Sequence, residues 1–569
     1  MGLTFKAKAR IVYFLISFFA VIIVARLFFI QIVKGDDYKK EAEKQYNASS
    51  LEDFDRGSIY FTEKLGNRIS AAIVKNGYQV AINPKFLTNH EEVYKKITEV
   101  ILVDKESFMS KAMKKDDPYE VLVRRIDEET ANKIKNMKIA GLNVYSESWR
   151  YYPFDNLASH VLGFVGYKED KLVGRYGIES YYDAMLGRDT MDLKKNSFTE
   201  LFFDFKKLIA GSSDNGDVVL TIEPTVQSML DKNLEKVKEK YNANLAGGMI
   251  IDPKTGNIIA MAGNPNFNPN QYAKIKNYST FLNPLVENVI EMGSIMKPLT
   301  LAASMDTGSI TASTTYTDNG FLVFGPSRIE NYDGKARGLV DMQKVLNDSL
   351  NTGAVFAMQK MGKDKFKDYM LGYGFGEKTG IELPQEGKNN IVNILSGSRD
   401  VEYATASYGQ GFAVTPISMA VALSSLANGG FIMKPHIVKE ESFKGLKNHI
   451  VQTQEVRRVL KKETAEEITR MLVEVVDKAL VGGSYKMEHY SVAAKTGTAQ
   501  LVEKGKKTYT EGEFIHTFFG YAPAFDAKFL TFLFVVKPQG AKYASNTLTE
   551  PFMDITKFLL NYYEVAPDR

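Results

Sequence analysis

Ser294-Ile295-Met296-Lys297 places a serine hydroxyl and a lysine amine three positions apart. On a helix, residues i and i+3 share one face, with Cβ atoms about 5–6 Å apart. A serine hydroxyl is a weak nucleophile and needs a base. A lysine serves if burial lowers its pKa, because desolvation disfavours the ammonium. Ile295, Met296, Pro298 and Leu299 supply apolar surroundings. Gly293 leaves room for a substrate, and a helix amino terminus favours a developing oxyanion. The bland alternative is an ordinary exposed Ser and Lys, since so short a pattern arises by chance. Companions therefore matter. Such chemistry needs a second polar pair to hold the lysine and a substrate amide, and a cationic strand edge to hold a carboxylate. Ser349-Leu350-Asn351 offers the first and Lys495-Thr496-Gly497-Thr498 the second.

The elements that must position these groups begin at Asp217. Val218–Ile222 reads as a strand, and Pro224 opens a helix running to about Tyr241. Gly247–Asp252 and Asn257–Ala262 form a hairpin around Pro253-Lys254-Thr255-Gly256. Helical segments dominate from Met292 to Val481. Strands follow at Tyr490–Lys495, Thr517–Ala522 and Phe529–Val536, then an amphipathic helix at Glu550–Tyr563. The expectation is an α/β (α+β) fold: a five-stranded antiparallel sheet with helices on both faces and an inserted helical subdomain. Lys-Thr-Gly occurs three times. Lys254-Thr255-Gly256 is a hairpin tip and Lys378-Thr379-Gly380 a loop, whereas Lys495-Thr496-Gly497 ends the apolar strand Val492-Ala493-Ala494. A strand end can present a Lys and backbone N–H groups to an extended peptide, and the small Ala494 and Gly497 leave it room. Ser213-Asp214-Asn215 precedes the nucleophile within a Gly/Ser turn and reads as linker.

Composition narrows the chemistry. The chain has 569 residues, too many for one compact domain. Lys+Arg 72 against Asp+Glu 68 leaves a mixed surface and no nucleic-acid footprint. Cysteine is absent, which removes thiolate nucleophiles, disulfides and Cys-based zinc sites. His90-Glu91-Glu92 lacks the second His of a zinc-protease helix, and no Gly-rich loop ends in Gly-Lys-Ser/Thr. Neither a metal nor another cofactor is expected. His160 and His516 read as structural, because the mechanism needs no histidine.

Ser-x-x-Lys, Ser-x-Asn and Lys-Thr-Gly, in that order, characterise penicillin-binding proteins and β-lactamases. Most of the chain resembles a class B penicillin-binding protein. The segments that carry this are Arg26-Leu27-Phe28 through Lys34-Gly35, Arg56-Gly57-Ser58-Ile59, Ala158-Ser159-His160-Val161-Leu162-Gly163, Gly177-Ile178-Glu179, Ile251 to Gly256, Tyr408-Gly409-Gln410-Gly411 and Lys495 to Gln500. One departure is Ala494, where relatives often have Gly. The resemblance implies Ser294 as the acylated nucleophile, Lys297 as its base and Ser349 as proton relay. It implies Asn351 on the substrate amide, Lys495 for electrostatics, Thr496, Gly497 and Thr498 in substrate binding, and an oxyanion hole from the N–H groups of Ser294 and Thr498. The implied ligands are D-Ala-D-Ala stem peptides of peptidoglycan and β-lactam antibiotics. The alternatives are a D,D-carboxypeptidase or β-lactamase, and a non-enzymatic β-lactam sensor or scaffold.

Residues Ile11–Val33 are almost wholly apolar, long enough as a helix to cross a bilayer. Lys6, Lys8 and Arg10 precede the run and Asp36 and Asp37 follow it, which keeps 1–10 cytoplasmic and the rest outside. No convincing signal-peptidase site follows. The expected organisation is a tail (1–10), a single-pass plasma-membrane anchor (11–33), an elongated mixed pedestal (36–215) and a transpeptidase domain (217–569). The pedestal carries no catalytic constellation and no Glu-rich glycosyltransferase motif. The resemblance therefore implies a separate polytopic membrane glycosyltransferase as partner.

Overall fold

The computed structural model describes residues 54–187 and 216–569, apart from Lys115, Asp170, Ser398, 444–447 and 503–508, together with Phe14, 18–23 and Arg26. Most of Ile11–Val33, a polar helix expected over Lys39–Tyr46 and the Ser213–Asn215 linker lie outside the described residues. Among the described residues no helix is long and apolar enough to cross a membrane. The chain forms two compact units. One holds Val74–Trp149; the other holds Arg56–Ile73, the described residues of 150–187 and those from Gly216 onward.

Strand β1 (Ile59–Thr62) turns into the long β2 (Arg68–Ile82), whose second half enters the smaller unit. There it pairs with β3 (Glu120–Ile126) and is backed by α1 (His90–Thr98), α2 (Lys105–Ala112) and α3 (Glu128–Asn136). Asp104 and Asp127 start α2 and α3 by accepting from the Ser107 and Thr130 amides, as N-caps do. The helices bury Ile97, Phe108 and Ile134 against Val80 and Ile82. The span 85–134 thus contains a strand as well as the helices its charge pattern suggests. Strand β4 (Leu142–Tyr151) returns the chain.

In the larger unit β5 (Gly216–Leu220) lies parallel to β1 and is followed by α4 (Pro224–Lys240). Pro224 sits where a helix has a free N–H, and Glu223 accepts from the Val226 amide. The hairpin β6 (Leu245–Ile251) and β7 (Ile258–Asn264) follows. Then come α5 (Lys297–Asp306), α6 (Asn351–Met361), α7 (Pro416–Ala427), β8 (Val438–Phe443) and α8 (Lys462–Glu474). The chain closes with β9 (Ala493–Val502), β10 (Tyr509–Ala522), β11 (Phe529–Val536) and α9 (Ala544–Tyr562). The main sheet has five antiparallel strands in the order β9-β10-β11-β6-β7, the early hairpin beside the late meander. Period-two alternation splits its side chains between two cores. Phe518, Leu533 and Ile250 meet Leu230 of α4 and Phe552 of α9, while Phe519, Phe532 and Met249 belong with Met419 of α7 and Ile468 of α8.

Several elements differ from the sequence expectation. Strand β9 does not end at Lys495; it starts at Ala493 and runs on to Val502. The polar, glycine-broken Thr496–Gln500 stretch carries no strand pattern of its own and is held extended by pairing with β10. Helix α9 begins at Ala544, with Pro551 inside it. Strand β8 interrupts the helical region and pairs with β5, a match made across more than two hundred residues.

Candidate active site

Ser294 lies in a short 3-10 turn, Gly293–Met296, that leads into α5. The Ser294–Lys297 motif therefore straddles a turn and a helix start, and is not one continuous α-helix. The turn still brings the pair together: Lys297 Nζ stands 3.0 Å from Ser294 Oγ. Lys297 is fully buried. Burial, and then the nearby Lys495, hold its ammonium well below the ordinary lysine range.

Ser349 precedes α6 with φ of 55°, a left-handed conformation unusual for serine. In that conformation both its carbonyl (2.5 Å) and its Oγ (3.2 Å) accept from Lys297 Nζ. Lys495 Nζ reaches the same Oγ from β9, at 3.0 Å, and also its neighbour's carbonyl, Thr496 O, at 3.1 Å. Burial lowers Lys495 to about 8. Ser294, Lys297, Ser349 and Lys495 are thus one hydrogen-bonded cluster, assembled from segments far apart in the chain.

Asn351 opens α6 beside it, and its side-chain amide donates to Glu330 O at 2.7 Å. Sequence reading missed what holds this corner. Asn331 Oδ1 accepts from the Asn351 amide at 3.0 Å and the Thr352 amide at 3.3 Å. Buried Asp318 accepts from Asn331 Nδ2 at 3.0 Å and Thr352 Oγ1 at 2.8 Å. Asn331 thus fills the role of a helix cap from outside the helix, and Asp318 holds Asn331 and the Thr352 side chain in place. No local motif announces them.

Strand β9 is the edge of the sheet and lies against the nucleophile turn. A Cβ at Gly497 would come 2.3 Å from Thr517 Oγ1 and 2.8 Å from Met292 O, so only glycine permits this approach. Thr517 Oγ1 itself donates to Met292 O at 2.9 Å. Gly293, with φ of 61°, faces the Thr498 carbonyl, which a Cβ would meet at 2.8 Å. Thr496 and Thr498 are half-buried. The Thr498 hydroxyl accepts from the Ala544 amide at the start of α9, at 3.2 Å.

The decoys fall elsewhere. Lys254 pairs with Asp526 beside the β6–β7 turn. The Thr379 and Gly380 amides donate to Glu386. His160 lies against Phe267, its Nε2 3.0 Å from Thr280 O, and burial lowers its pKa to about 4. His516 Nδ1 pairs with Thr547 Oγ1 at 2.9 Å, and burial lowers it likewise to about 4. Both stay neutral near pH 7.

Family models match the chain twice: the penicillin binding protein transpeptidase domain over residues 246–557 and the penicillin-binding protein dimerisation domain over 55–190. Stage V sporulation protein D of Bacillus subtilis is 30% identical over 94% of this chain and 82% of its own length. Peptidoglycan D,D-transpeptidase FtsI of Buchnera aphidicola is 24% identical over 97% of this chain and 94% of its own. The crystal structure of penicillin binding protein 2X from Streptococcus thermophilus superposes with a TM-score of 0.72 at 20% identity, over 90% of this chain and 80% of that one.

Proposed function

The chain belongs to the penicillin-binding protein transpeptidases, of the class B type, and on that premise we propose that Ser294 is the residue acylated in its reaction. The protein is a serine-type peptidoglycan D,D-transpeptidase, an enzyme that cross-links cell-wall stem peptides and that β-lactams acylate. The observation that carries the residue assignment is the buried Lys297 amine 3.0 Å from Ser294 Oγ, with no carboxylate bonded to it among the described residues. A neutral amine has one lone pair and two N–H bonds. Its N–H groups satisfy the two Ser349 oxygens, and its lone pair is left for the Ser294 proton.

In acylation, Ser294 Oγ bonds to the carbonyl carbon of the penultimate D-alanine while Lys297 takes the hydroxyl proton. The bond to the terminal D-alanine nitrogen breaks. Ser349, between Lys297 and Lys495, hands a proton to that leaving amine. In deacylation an amine of a second stem peptide attacks the ester carbon, its proton returns through Lys297, and Ser294 is released. The N–H groups of Ser294 and Thr498 stabilise the oxyanion of each step. Lys495, Thr496 and the small Gly497 receive the terminal carboxylate. Asn351 bonds the substrate amide after exchanging its contact with Glu330. The Thr498 hydroxyl, oriented by the Ala544 amide from which it accepts, keeps its own proton for the terminal carboxylate.

Residues 11–33 are proposed as the single membrane anchor, with 1–10 cytoplasmic and the catalytic part outside. The almost wholly apolar run and the basic residues before it support this. A pedestal over 36–215 and a transpeptidase domain over 217–569 are proposed likewise, and the order of the two family matches supports that division. A transpeptidase without its own glycosyltransferase joins strands polymerised elsewhere, which supports a polytopic membrane glycosyltransferase as partner.

Mass mapping after fluorescent-penicillin labelling tests the site. The adduct is expected on Ser294 alone, and Ser294→Ala should abolish it without unfolding the protein. An adduct on Ser349 or another serine overturns the assignment.

A further inference from the structure

Glu291 carries a carboxylate that the acyl-transfer steps do not use. It lies three residues before Ser294 and accepts from the Gly411 amide at 3.0 Å and from Tyr509 Oη at 3.2 and 3.4 Å. The donors come from different elements. Gly411 belongs to the Tyr408–Gly411 turn, and Tyr509 is the first residue of β10. That turn is also fastened to the nucleophile turn through the backbone. The Gly293 amide donates to Gly409 O at 3.0 Å, and Ile290 and Val414 exchange two bonds of 3.0 Å. Contact is so close that a Cβ at Gly409 would come 2.1 Å from Gly293 O. Strand β10 in turn pairs along its length with β9. Glu291 therefore joins the three segments whose relative position sets the Ser294 amide against Thr498.

We propose that Glu291 is a positioning residue: its ionised carboxylate holds Gly411 and Tyr509 together and so fixes the nucleophile turn against β9. The inference rests on Ser294 being the nucleophile. Among the described residues, the titratable groups that face Glu291 are Tyr408 and Tyr509, both pushed up by burial and by this carboxylate, so neither ionises near neutrality. Burial raises Glu291 to about 7, against the opposing hydrogen bonds from Gly411 and Tyr509. Above that pH the group is anionic and accepts both donors strongly. Below it, a proton occupies one acceptor position and the clamp weakens. Acylation should therefore fall as pH drops through about 7.

The test measures the second-order acylation rate with fluorescent penicillin from about pH 5.5 to about pH 9 in the full chain and in Glu291→Gln and Tyr509→Phe, with melting curves alongside. Glu291→Gln is locked in an uncharged form. It should match the parent at the acid end and run about fivefold slower at the alkaline end, the scale separating charge-assisted from neutral hydrogen bonds. Tyr509→Phe removes a donor that favours the anion and should move the acid limb to higher pH. A limb that stays in place in both folded variants overturns the proposal, as does a slowing that is equal at every pH. If Glu291→Gln does not fold, Tyr509→Phe decides alone. An adduct off Ser294 sinks the functional reading, whereas an adduct on Ser294 with an unmoved limb sinks only the role of Glu291.

Discussion

Two lysine amines reach one serine oxygen, Ser349 Oγ, at 3.2 and 3.0 Å, yet their environments assign them different work. Lys297 is driven far below its ordinary range and is held as a base, while Lys495 stays near 8 and is charged at neutral pH. Lys297→Arg should therefore abolish acylation at every pH, because a guanidinium does not give up its proton. Lys495→Arg should keep measurable acylation. Affinity for carboxylate-bearing β-lactams should weaken as pH rises through about 8, where Lys495 loses its charge. In Lys495→Arg that alkaline limb should disappear, since arginine remains protonated. Stopped-flow acylation across pH measures both. Equal loss from the two substitutions would contradict the division.

At the scale of elements, the site depends on how closely strand β9 approaches the Gly293–Met296 turn. Gly497 has no side chain where Thr517 Oγ1 and Met292 O already stand. Gly497→Ala should shift the edge strand away from the turn. Acylation should fall about a hundredfold, the usual scale for misplacement near 1 Å, while melting temperature changes little. Calorimetry beside labelling kinetics separates the two effects, and an unimpaired rate would show that the strand has slack. The strand's extent was hidden from the sequence for a physical reason. Gly497 interrupts two strand-favouring threonines and no apolar residue alternates through Thr496-Gly497-Thr498, so pairing with Phe518, Thr517 and His516 on β10 is what keeps it extended. The nucleophile turn was hidden similarly: the i, i+3 spacing suits a 3-10 turn as well as an α-helix.

Across the whole molecule, residues distant in sequence share a buried ion cluster outside the catalytic site. Glu179, with no exposed surface, accepts from Arg56 Nε at 2.6 Å and Arg150 Nε at 2.5 Å, and Tyr152 Oη donates to it at 3.1 Å. Burial alone would raise its pKa, but Arg150 and Arg56 outweigh that and hold it below the usual carboxylate range. A depressed carboxylate stabilises the fold above its unfolded value of about 4.3, and the contribution is lost as pH falls through the folded value. Glu179→Ala should cost about 3–5 kcal/mol, because buried Arg150 loses its carboxylate partner and Arg56 is left with Asp183 alone, and should flatten the acid dependence of stability. Denaturation at several pH values measures it, and a loss below about 1 kcal/mol would mark the cluster as dispensable. The sequence by itself determined the three motifs proposed for the site and the antiparallel sheet, because local spacing, periodicity and turn chemistry are written in neighbouring positions. It also pointed to Arg56, Gly177-Ile178-Glu179 and Tyr408 to Gly411 as marked segments, without saying what they touch. Only the tertiary structure decided that Asp318 and Asn331 hold Asn351, that Glu291 clamps the nucleophile turn, and that Arg56 and Arg150 close on Glu179. Those pairings join positions from about twenty to more than two hundred residues apart, and no local propensity encodes which distant group will arrive.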